Sequence, residues 1–97
     1  MRKIQSLTSW NEVKKTLMKN KKYREVYEKM KPQYELANSL IRIRLDKKLS
    51  QKKLAEKIGK KQPVISRLEN MTSKPTISLL TKISQALNVK LRVYFQP

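Results

Sequence analysis

The stretch Leu49 to Asn70 reads LSQKKLAEKIGKKQPVISRLEN, and inside it stands the chain's one glycine, Gly59. One glycine in 97 residues marks the point where the backbone is freest to turn left-handed, which splits this stretch into two short helices. Ser50 offers an N-cap oxygen, Leu54, Ala55 and Ile58 recur at helical spacing, and Gly59 ends the first helix. After Lys60 and Lys61, Gln62 opens a second helix with Pro63 in its first turn, where a missing N–H costs nothing. Ile65 and Leu68 point back at the first helix, and small Ala55 allows a close crossing. The spacing predicts a helix-turn-helix whose second helix enters the major groove.

Charge agrees with that prediction. The chain has 24 Lys and Arg against 7 Asp and Glu, a formal charge of +17, so an acidic polymer is the expected partner and DNA or RNA is favoured over a membrane. No apolar run approaches the roughly 18 residues of a span, and the N-terminus lacks the apolar core of a signal peptide, so a cytoplasmic protein is expected. With no cysteine, no histidine and no Gly-rich loop, the sequence offers neither a disulfide framework nor a zinc site of the usual ligands. It points to a non-enzyme that needs no cofactor and no small-molecule substrate.

Three regions are expected: a helical extension over 1–31, the DNA-binding domain over 32–89, and a C-terminal strand over 90–97. Ser9 and Glu12 form a capping-box signature, after which Trp10, Val13 and Leu17 line one face of a helix to about Lys19. Tyr23, Val26, Tyr27 and Met30 make a second stripe, which Pro32 is expected to interrupt. These helices either fold back on their own domain or hold a partner protein.

From Gln33 to about Lys47, the apolar positions Leu36, Ala37, Leu40, Ile41, Ile43 and Leu45 predict the central core helix. Pro75 precedes a last helix from about Thr76, with Ile77, Leu80, Ile83 and Leu87 as its core stripe and Asn88 as a left-handed cap. The period then changes to two, with Leu91, Val93 and Phe95 alternating with Lys90, Arg92 and Tyr94. A lone apolar strand is an unpaired edge, so pairing with a second copy is expected, giving a homodimer.

On these residues the chain resembles the Xre family of bacterial and phage regulators, which includes lambdoid repressors and Cro. Gln51, Leu54, Ala55, Gly59, Ile65, Leu68, Glu69 and Asn70 match the family pattern. Lys60 stands where a small aliphatic residue is usual, and Lys61 where Ser or Thr usually caps the second helix. The resemblance covers about Gln33 to Leu87. It implies a mainly α, five-helix, lambda-repressor-like domain in which Arg44 pairs with Glu69.

The same resemblance assigns roles at the DNA. Gln62, Pro63, Ser66 and Arg67 would face the groove, Gln62 pairing with adenine and Arg67 with guanine, while Pro63 offers an apolar contact. Gln51, Lys61, Asn70 and Lys74 would hold phosphates. The motif lysines, Lys52, Lys53, Lys57, Lys60 and Lys61, matter mainly as a collective field.

A leading helical segment before an Xre domain and a dimerising strand after it are similar to HigA-type antitoxins. That similarity implies a protein that binds operator DNA, represses its own operon and neutralises a HigB toxin, an mRNA endonuclease of the RelE type. Trp10, Val13, Leu17, Tyr23, Val26 and Tyr27 would then be the toxin-binding residues. Against it stands the +7 balance of residues 1–31, since such toxins are usually basic. The alternatives are a stand-alone repressor and a nonspecific basic protein that coats nucleic acid.

Overall fold

The computed structural model describes residues 12–97, so Ser9 and Trp10 lie outside the described residues. The fold is mainly helical, with five helices among them. These are α1 over residues 12–17, α2 over Lys21–Asp46, α3 over Gln51–Lys57, α4 over Gln62–Glu69 and α5 over Ile77–Leu87. The chain divides into two compact units, Met1–Pro32 and Gln33–Pro97, and α2 contributes to both.

In the first unit, Asn20 caps α2 by accepting a hydrogen bond from the Tyr23 backbone N–H at 3.2 Å. Tyr23 and Tyr27, one turn apart, stack with centroids 6.3 Å apart, and the Lys14 ammonium lies 4.8 Å from the Tyr27 ring centre.

Pro32 does not end the second apolar stripe, because it lies inside α2. A proline there removes the hydrogen bond to the carbonyl four residues earlier. Glu28 and Pro32 are both exposed, so water is at hand for that carbonyl. The helices expected before and after Pro32 are therefore one.

The second unit is built on a core of Leu40, Leu54, Ala55, Ile65, Leu68, Ile83 and Leu87, all buried. Leu54 and Ile65 are completely buried and join α3 to α4. Cutting either back to alanine should cost about 2–5 kcal/mol, a large share of what so small a domain has. Two expected core residues fall elsewhere. Leu45 is 58% exposed, because α2 buries the stripe Ala37, Leu40 and Arg44, and Leu45 is rotated off it. Ile77 is 57% exposed, and Leu79 packs on the core in its place.

The helix ends in this unit share one pattern. Lys48, Gly59, Met71 and Asn88 all have positive φ, at 58°, 70°, 63° and 55°. The N–H of the next residue then bonds the carbonyl five positions back: Leu49 to Arg44, Lys60 to Ala55, Thr72 to Arg67 and Val89 to Ser84, at 2.9–3.0 Å. This is the Schellman closure of a helix, formed four times with only one glycine.

The C-terminal strand is not formed. Residues 89–97 belong to no helix and to no strand. A strand exists only through ladder bonds to a neighbour, and the described residues supply none. No described helix is long and apolar enough to cross a membrane.

Candidate nucleic-acid interface

Four side chains link the first turns of the motif to the end of α4. Arg44, 8% exposed, donates through Nε to Glu69 Oε2 at 2.7 Å and through Nη2 to Glu69 Oε1 at 2.9 Å. Its Nη1 donates to the Leu49 carbonyl at 2.8 Å, which ties the pair to the loop before α3. The hydrogen bonds to Glu69 raise the Arg44 pKa above its ordinary value, against the opposing effect of burial. The guanidinium therefore stays charged.

Glu69 Oε1 also accepts from Gln51 Nε2 at 2.9 Å, and Gln51 Oε1 accepts from Gln62 Nε2 at 3.3 Å. The route runs from α2 through the end of α4 to the first residues of α3 and α4. A second N–H and the carbonyl oxygen of Gln62 remain for other partners, the pair of groups that adenine requires. No buried side-chain polar atom among the described residues lacks a hydrogen-bond partner.

The two faces of α4 separate cleanly. Gln62, Pro63, Ser66 and Arg67 share one arc, where all but half-buried Ser66 are exposed. Val64, Ile65, Leu68 and Glu69 share the other, where each is buried or half-buried. Ser50 caps α3 by accepting from the Lys53 N–H at 3.0 Å, whereas Lys61 gives α4 no side-chain cap. A lysine ammonium can only donate, so it cannot fill that role.

The remaining proposed phosphate contacts are exposed. Lys61 and Lys74 are exposed, and Asn70 is held by its own turn, its Oδ1 accepting from Thr72 Oγ1 at 2.6 Å and from the Thr72 N–H at 3.2 Å. That fixes the Asn70 amide with its nitrogen free to donate. Thr72 carries no sequence signal of this role beyond its Asx-turn spacing two residues after Asn70.

Of the toxin-binding candidates, Val13 and Val26 are 47% and 55% exposed. Leu17, Tyr23 and Tyr27 are half-buried, and Trp10 lies outside the described residues. Of the dimerisation candidates, Leu91 is half-buried, Val93 is 63% exposed and Phe95 fully exposed. No group of three or more carboxylates among the described residues is placed to hold a metal ion.

The helix-turn-helix family profile matches residues 40–94, more than half of the chain. The chain belongs to the helix-turn-helix family. Within it, the chain is 42% identical over 57 residues to multiprotein-bridging factor 1 of Saccharomyces cerevisiae, covering 59% of this chain and 38% of that one. It is 40% identical over 58 residues to multiprotein-bridging factor 1a of Arabidopsis thaliana, covering 60% and 41%. It is also 34% identical over 61 residues to antitoxin HigA1 of Mycobacterium tuberculosis, covering 63% and 41%. The matches thus span about two fifths of these relatives. No solved structure matches the chain.

Proposed function

We propose that this protein is a sequence-specific DNA-binding antitoxin that represses its own operon and neutralises a toxin of the HigB or RelE type. The observation that carries the DNA half is the chain of bonds from Arg44 through Glu69 and Gln51 to Gln62, which fixes the first reading side chain of α4. Gln62 and Arg67 read bases, Pro63 and Ser66 fill the groove between them, and Gln51, Lys61, Asn70 and Lys74 hold phosphates. The similarity to antitoxin HigA1 supports the toxin half. So does a separate leading unit with Val13 and Val26 exposed, since apolar side chains on a basic segment favour a protein partner over nucleic acid.

A second reading is favoured by the higher identity to the multiprotein-bridging factors. In it, the leading unit links a DNA-bound domain to a protein other than a toxin. Both readings place protein recognition before residue 33 and DNA recognition after it.

Co-expression with the product of a neighbouring small reading frame separates them. The double variant Val13→Ala and Val26→Ala should lose protection of the cells while operator affinity stays within a few fold. Full protection by that variant rejects the leading unit as the toxin site. Absence of any toxic neighbouring product favours the bridging reading.

A further inference from the structure

The N–H of Val89 bonds the Ser84 carbonyl at 2.9 Å as α5 closes. Residues 90–97 then belong to no helix and to no strand, so their N–H and C=O groups join no ladder among the described residues. Between this segment and α5 lies an open groove of about 780 Å³. Its helical wall is uncharged, with Ile77 and Thr81 toward the start of α5. In the facing wall, Leu91 and Val93 alternate with Lys90 and Arg92, and no acidic residue lines the groove.

We propose that this groove takes an extended acidic segment of a different protein, in which carboxylates alternate with aliphatic side chains, and that the segment adds as a strand beside residues 90–93. A strand laid there meets a cation at every second position and an apolar side chain at the others. Carboxylates opposite Lys90 and Arg92 are favourable, whereas like charges directly opposite are not. Strand addition also gives the unladdered backbone its hydrogen-bond partners.

The same chemistry sets other occupants aside. A phosphate backbone would satisfy Lys90 and Arg92 but leave Ile77, Leu91 and Val93 in water. The chain itself cannot supply the segment, since no two of its 7 acidic residues stand two positions apart. Glu25 and Glu28 come nearest, and both lie within α2. A second copy offering its own residues 90–93 would set cation against cation. An acidic partner is instead drawn in by the +17 charge of the whole chain.

Neither reading of the function is needed for this, and operator DNA plays no part in the test. A labelled synthetic peptide that alternates glutamate and valine is titrated against the whole chain by fluorescence anisotropy, with methyl resonances reporting where it sits. It should shift the methyls of Ile77, Val89, Leu91 and Val93. The same residues rearranged into a glutamate block and a valine block should bind at least roughly 10-fold more weakly. Lys90→Glu with Arg92→Glu should lower affinity for the alternating peptide by a similar factor, roughly 10-fold. Ile77→Ser should weaken it with an unchanged salt dependence, and both variants should keep their helical circular dichroism. Equal affinity for the two peptides overturns the proposal, because attraction would then need no groove. A DNA oligonucleotide that shifts the same methyls and displaces the peptide overturns it in favour of nucleic acid. Unshifted groove methyls overturn it as well, and a wild type that then sediments as a dimer makes a second copy the occupant.

Discussion

The side-chain oxygen of Gln51 accepts a hydrogen bond from Nε2 of Gln62, so the first residues of α3 and α4 are held together. Because Gln51 Nε2 is already committed to Glu69, the Gln51 amide has one orientation and Gln62 is positioned in turn. Gln51→Ala should weaken operator binding by about 1–2 kcal/mol and relax the preference at the base pair facing Gln62. Titrations against operators varied at that pair measure it. An unaltered preference would mean that the bond from Gln62 to Gln51 plays no part in base recognition.

Arg44→Ala leaves Glu69 buried with only Gln51 as donor, and should cost about 3–5 kcal/mol in denaturant unfolding. Arg44→Lys should recover only part of it, since an ammonium cannot span both carboxylate oxygens and the Leu49 carbonyl. A loss below about 1 kcal/mol in Arg44→Ala would reduce the pair to a solvated contact.

Lys61→Ser should act in opposite directions on the two halves of function. Serine supplies the side-chain cap that α4 lacks, adding about 1 kcal/mol of stability. Loss of the ammonium should weaken binding to all sequences alike and lower the salt slope by about one ion. Thermal melts and salt titrations on one preparation check both signs.

At Gly59 an added Cβ meets nothing within 4 Å, so Gly59→Ala should cost only the backbone term, about 1–2 kcal/mol. Gly59→Asn should cost less, because asparagine tolerates the left-handed region better. A much larger loss in either variant would mean that α3 and α4 move relative to each other.

Much of the second unit is legible in the residues. Ser50, Gly59, Pro63, Thr76 and Asn88 each carry a local reason for a helix to begin or end, and the helices begin and end beside them. Lys48 and Met71 turn left-handed with no such signal, since neither residue type favours that region. Pro32 misleads in the other direction, because its penalty is local and an exposed helix can absorb one missing bond. Ile77 and Leu45 satisfy helical periodicity, yet periodicity alone does not say which edge of a stripe meets the core. The tail's alternation is a property of one chain, whereas a ladder is a property of two. On α4, the outward arc holds the residues that the family resemblance assigns, but the bond from Gln51 to Glu69 depends on α3 and α4 meeting and no local pattern announces it.

Three of the four helix closures in the second unit are made by residues with side chains, and each holds an L-residue where glycine would rest more easily. The domain is accordingly less heat-resistant than its topology permits, and at Lys48 the shortfall sits in the turn between α2 and α3, outside α4. Lys48 is exposed, so Lys48→Gly removes no packing and should gain about 0.5–1 kcal/mol, a few degrees of melting temperature, at unchanged operator affinity. Thermal hardening and DNA recognition can thus be adjusted independently in this chain.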